Sequence, residues 1–156
     1  QQWGVPWLLH SIKQKIKKPF IYSDGNILYS PSILKKIKDT ALSRPSLVNI
    51  VVSRRDAAPT HSLVILRKGK IREINTRLQF TRIKDNYSGD KLYHSLGLMT
   101  LSELIFFLVP RFAYKKDMDY VVSDIFSTER TLIRTTIYKG SWIAVHKIQD
   151  IDKLEA

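Results

Sequence analysis

The sequence predicts an α+β domain: a mainly antiparallel sheet with helices packed on one face. Three observations carry that expectation. Apolar residues recur at helical spacing in the first forty-odd positions and at β-type spacing from Leu47 onward. The pairs Asp24-Gly25, Lys68-Gly69 and Lys139-Gly140 each separate two short apolar runs, as the turns of hairpins do. With 156 residues, 44% of them apolar and 10% aromatic, and neither repeat nor linker, residues 1–156 form a single domain with its own core.

The elements follow in order. Residues 7–18 set Trp7, Leu8, Leu9, Ile12 and Ile16 at helical spacing, with Lys13, Lys15, Lys17 and Lys18 around the other face, and Pro19 stops the helix. Phe20 to Tyr29 reads as a hairpin in which Asp24-Gly25-Asn26 supplies the positive φ angles of a tight turn. Ser30 caps a helix that begins at Pro31, carries Ile33, Leu34, Ile37, Ala41 and Leu42 on one face, and ends near Pro45. Leu47, Val48, Ile50, Val51 and Val52 form a buried strand. Two β runs flank Lys68-Gly69 between Ser62 and Glu73, and Leu78, Phe80 and Ile83 alternate like a strand with one wet face. Thr100-Leu101-Ser102-Glu103 is a capping box before Leu104, Ile105, Phe107 and Leu108, and Pro110 ends that helix. Arg130 to Tyr138 and Trp142 to Ile148 close the chain as a hairpin across Lys139-Gly140.

Charge is distributed unevenly. Residues 1–80 hold fifteen Lys and Arg against four acids, whereas residues 81–156 hold eleven against ten. One half therefore faces an anionic partner, an acidic protein complex or a nucleic acid phosphate backbone. The residues expected to make that contact are Lys13, Lys17, Lys18, Lys35, Lys36, Arg54, Arg55, Lys68 and Lys70. A basic helix over residues 1–18 projects to the partner, with Trp3 and Trp7 as interface aromatics.

Several chemistries are disfavoured. The absence of cysteine removes disulfides, thiolate metal sites and Cys nucleophiles. His10, His61, His94 and His146 are scattered and the six glycines are isolated, so neither metal-ligand spacing nor a phosphate loop is visible, and no cofactor is expected. Asp117 and Asp119 follow Lys115 and Lys116 and read as a solvated charged loop. The run Leu104 to Val109 falls far short of the roughly 20 apolar residues that span a bilayer. No basic segment precedes the apolar N-terminal residues, so an intracellular protein is expected. Eighteen Ile and sixteen Lys against six Ala suggest an AT-rich genome, and with it an organellar setting, plastid or mitochondrion.

The order of elements resembles the chorismate lyase family, plastid and cyanobacterial members included. The matching segments are Phe20 to Asn26, Val48 to Arg55, Leu63 to Phe80, Leu98 to Glu103 and the turn Tyr138-Lys139-Gly140-Ser141, together covering about residues 15–150. The resemblance implies a six-stranded antiparallel sheet around a small anion pocket, and elimination of pyruvate from chorismate without metal or cofactor. It also implies an arginine before the central aliphatic strand, to hold a substrate carboxylate, and a glutamate on the last strand. Here Thr60, His61 and Ser62 stand at the first place, and Ile143 to Gln149 contains no glutamate at the second. Arg67 or Arg72 is the available substitute for the carboxylate clamp and His146 for the acid. The expectation is a non-catalytic, basic scaffold or binding subunit of a larger assembly. The alternatives are a lyase with relocated catalytic residues and a domain that senses an organic acid.

Overall fold

The computed structural model describes residues 4–54, 62–76, 87, 89–112 and 117–145. Along the chain it runs α1 (Val5–Ser11), β1 (Phe20–Ser23), β2 (Ile27–Tyr29), α2 (Ser32–Ser43), β3 (Val48–Ser53), β4 (Leu63–Arg67), β5 (Lys70–Asn75) and β6 (Lys91–Leu101). It continues through α3 (Ile105–Leu108), α4 (Met118–Thr128), β7 (Ile133–Ile137) and β8 (Trp142–Ala144), with short 3₁₀ turns at Lys13–Lys15, Val109–Phe112 and Arg130–Leu132.

The expected α+β class holds, but the sheet is mixed. Its order is β5-β4-β6-β3-β7, and β1 joins it by pairing with β6. β6 is the organising strand. Its first half pairs antiparallel with β4 (Leu63 opposite His94), and its second half with β1 (Phe20 opposite Leu101). On its other side it pairs with β3, which in turn runs parallel to β7 from Val48 opposite Ile133 to Val52 opposite Ile137. A strand bonded on both edges and covered on both faces must be apolar or internally satisfied throughout. β3 is buried at all six positions, and its one amide side chain, Asn49, exchanges hydrogen bonds with Thr136 of β7 at 2.9 and 3.1 Å.

The helices do not share one face, as the sequence had suggested. Val48, Ile50 and Val52 of β3 and Met99 and Leu101 of β6 face a core built with Ile105, Met118, Val121, Val122 and Ile125. Val51, Leu96 and Leu98 point the opposite way, onto Ile33 and Ile37 of α2 and onto Ile27 and Trp142 of the small β2–β8 sheet. Each buried Ile or Leu contributes about 1.5–3 kcal/mol, so both layers are needed to hold the central strands.

Two expected hairpins are absent for one reason, namely that their strands find distant partners. β1 leaves toward β6, while β2 pairs with β8, so Asp24-Gly25-Asn26 joins two sheets rather than closing one. Gly25 is not among the positive-φ glycines. β7 likewise pairs with β3, not with β8. The hairpin at Lys68-Gly69 does form, with φ of 49° and 76° at its two turn residues. The first helix stops at Ser11, where Ile12 (φ −102°) leaves the helical range and lysines crowd the next turn. The capping box also moves: Thr100 lies in β6, and Ser102 accepts the Leu104 N–H at 3.3 Å before α3. The strand expected around Leu78, Phe80 and Ile83 lies outside the described residues.

Candidate functional site

β1 ends in Tyr22-Ser23, and Asp24 follows it beside the middle of β6 and the start of α4. A pocket of about 630 Å³ opens there, lined by Tyr22, Asp24, Ser62, Asp117, Asp119 and Tyr120 among others. Three carboxylates in one depression on a protein of net charge +12 is the feature that marks it. Sequence reasoning missed all three. Asp24 was assigned to a turn and the Asp117/Asp119 pair to a solvated loop. Only Asp117 is exposed, whereas Asp119 is partly buried in the first turn of α4. The overlooked signal was Met118, Val121, Val122 and Ile125, a helical apolar stripe that fixes where Asp119 sits.

Asp24 is held from two sides. The Tyr22 hydroxyl donates to its Oδ1 at 2.6 Å, and its backbone N–H donates to the Gly97 carbonyl at 2.8 Å. Gly97, at φ 59°, leaves open the space its Cβ would fill, and the Asp24 carboxylate occupies that space. Asp119 accepts from Ser95 Oγ at 3.4 Å and is hydrogen-bonded by Ser62.

Burial raises the pKa of both carboxyls. The charge of Asp117 adds to the rise at each, and that of Asp24 adds to it at Asp119. Hydrogen bonds to Tyr22 at Asp24, and to Ser62 and Ser95 at Asp119, act in the opposite direction. Burial and the Asp24 carboxylate also push the Tyr22 phenol well above the usual tyrosine range. Among the described residues no cation lines this pocket, in a chain otherwise rich in them.

The residues expected to meet an anionic partner lie on several elements. Lys13, Lys17 and Lys18 are exposed around the end of α1, Lys35 and Lys36 lie on α2, and Lys68 and Lys70 lie at the β4–β5 turn. Lys36 Nζ is bonded to the Ile137 carbonyl at 2.8 Å, near where Arg54 leaves β3. Arg67 and Arg72 both clamp Asp90, Arg67 through its Nε at 2.7 Å, so the two candidates for a substrate carboxylate are engaged with one of the chain's own. Trp7 sits on α1. Trp3, Arg55 and His146 lie outside the described residues. Among the described residues, no helix is long and apolar enough to cross a membrane.

No family model matches the sequence. No curated protein matches it either. Solved structures do. Over 94% of this chain the fold superposes on the inositol-1-phosphate CTP transferase from T. maritima, with a TM-score of 0.70 and 19% identity. It also matches a glucose-1-phosphate thymidylyltransferase from Bacillus anthracis (TM-score 0.72, 13% identity, 98% of this chain) and HddC from Yersinia pseudotuberculosis (0.66, 16%, 98%). The chain shares the fold of these proteins. The chain spans 57%, 60% and 61% of those three proteins' lengths.

These likenesses overturn the chorismate lyase resemblance and the scaffold function drawn from it. What separates the two readings is strand pairing, and the parallel β3–β7 pair does not belong to an all-antiparallel sheet. Nothing in the neighbours supports an organellar setting.

Proposed function

We propose that this domain serves a nucleotidyl transfer in which a phosphorylated sugar or cyclitol is joined to a nucleoside monophosphate unit. An oxygen of the phosphate monoester attacks the α-phosphorus of a nucleoside triphosphate. A new P–O bond forms as the α–β bridging P–O bond breaks, and pyrophosphate leaves with the electron pair. Two of the structural neighbours are named for sugar- or inositol-phosphate transferases, which supports the reaction class. The observation that carries the reading is Asp24, set just after β1 in a pocket with two further carboxylates.

Such a reaction calls for a divalent cation, and the residues present fit one. Asp24, Asp117 and Asp119 are hard oxygen donors, and among the described residues no cation lines the pocket with them. Among the described residues no three ligands are close enough to make an all-protein cage. That suits magnesium, which is bound through one or two carboxylates plus substrate phosphates. When bound, the cation would neutralise charge on the phosphates and align them for in-line attack. The chain's own part is positional. Tyr22 and Gly97 fix the Asp24 carboxylate, and Ser62 and Ser95 hold Asp119.

Two measurements test this. Manganese titrated into the purified protein should be bound, and Asp24→Asn should weaken it roughly tenfold or more, the loss of one charged ligand. Release of pyrophosphate from a nucleoside triphosphate in the presence of a sugar 1-phosphate should require the same carboxylate. Wild-type protein that neither binds manganese nor releases pyrophosphate would sink the proposal.

A further inference from the structure

A second pocket, of about 680 Å³, lies at the ends of β3 and β7. Its character is the reverse of the first. Arg54 follows β3, Lys91 opens β6 and Lys139 follows β7; all three are exposed, and among the described residues no carboxylate lines the pocket with them. Among the described residues the ion pairs are those of Arg67 and Arg72 with Asp90, so none of these three cations is neutralised by a described acid.

The site has fixed parts. The Arg54 guanidinium sits 5.4 Å from the centroid of the buried Tyr93 ring, which restricts it by a cation–π contact and leaves its N–H fork available. Gly140 lies so close to the Tyr138 ring that a side chain there would collide with it. The Tyr138 hydroxyl donates to the Ser141 carbonyl at 3.1 Å, pinning the loop that carries Lys139. Neighbouring parallel strands end here, and outside the carboxyl ends of such strands is where open sheets take ligands. The volume falls within the usual range for small-molecule sites.

We propose that this pocket binds the phosphate groups of a small polyanion, a nucleoside polyphosphate or a free polyphosphate. Arg54 supplies the bidentate contact, and Lys91 and Lys139 the flanking charge. The inference stands apart from the nucleotidyl-transfer reading, because it uses none of the residues around Asp24.

The opposite charge of the two pockets makes the test specific. In buffer stripped of divalent cations the carboxylate pocket repels phosphate, so any polyphosphate bound there must use another site. Calorimetry with inorganic pyrophosphate under those conditions should show binding. Arg54→Ala and Lys139→Glu should each weaken it roughly tenfold or more, while Asp24→Asn should not weaken it. Both substitutions in the basic pocket are at exposed positions, and circular dichroism confirms that each variant is folded. ATP binding more tightly than pyrophosphate would assign the phosphates to a nucleotide, and equal affinity to free polyphosphate; both uphold the site. No binding by the wild-type protein, or unchanged binding by both basic-pocket variants, would overturn it.

Discussion

Gly97 is where the residue scale decides the site. Its positive φ costs an L-residue of order 1–2 kcal/mol, and the Asp24 carboxylate already fills the space a methyl would need. Gly97→Ala should therefore destabilise the protein by about 1–3 kcal/mol and lower its manganese affinity by moving Asp24. Adding Asp24→Ala relieves the collision, so in urea denaturation the double variant should lose less than the sum of the singles, while still failing to hold manganese. Strictly additive losses would mean the two residues do not interact. Asp119 makes a second prediction, with its sign set by linkage. Its carboxyl is raised in the folded state, so from the ordinary aspartate range upward the native protein binds more protons than the unfolded chain. Stability then falls as pH rises through that window and levels off above the folded pKa. In metal-free buffer Asp119→Asn should melt higher than wild type at neutral pH, and the gap should shrink toward about pH 4. A gap that stays constant across that range would show that Asp119 is not the group responsible.

At the scale of elements, the β3–β7 pair is joined by more than its backbone. Thr136→Val strands the buried Asn49 amide and should cost about 1–3 kcal/mol, and replacing Asn49 with Leu in the same chain should return much of that. If the single variant is as stable as wild type, the exchange of hydrogen bonds is not holding the two strands together. How much of the fold was legible follows from which elements are local. The β4–β5 hairpin could be read from Lys68-Gly69 because turn chemistry and pairing lie within a dozen residues of each other. β3 could be read because a strand buried on both faces is a near-continuous apolar run. β6 escaped, although it too is buried. His94, Ser95 and Gly97 interrupt its apolar pattern, and their reasons lie elsewhere in the chain: Ser95 bonds to Asp119, and Gly97 makes room for Asp24. The candidate site was invisible for the same cause. Asp24 and Asp119 meet only because β1 and α4, nearly a hundred residues apart, pack on the same stretch of β6.

Across the whole molecule, an acidic pocket and a basic one sit on a strongly basic chain, and each draws its charged residues from both halves of the sequence. Twenty-six Lys and Arg against fourteen acids leave a net charge of +12. The compact state gathers that charge, so self-repulsion opposes folding. The Arg67 and Arg72 clamp on Asp90 works the other way. It holds the Asp90 carboxyl below the usual aspartate range, chiefly through the Arg67 hydrogen bond. That clamp is a short-range contact near the surface, where ion pairs add little, whereas the repulsion sums over the whole chain. Screening should therefore act mostly on the repulsion. Raising sodium chloride from about 0.02 to 0.3 M at neutral pH shortens the Debye length to below about 8 Å and should raise Tm. A fall in Tm would mean that surface pairs outweigh net charge in this fold. Pyrophosphate at matched ionic strength should raise Tm further, because a ligand held only by the native state adds mass-action stabilisation to screening. That excess should vanish in the Arg54→Ala variant and survive in Lys68→Ala, where an exposed cation is lost from the β4–β5 turn and the basic pocket is left intact.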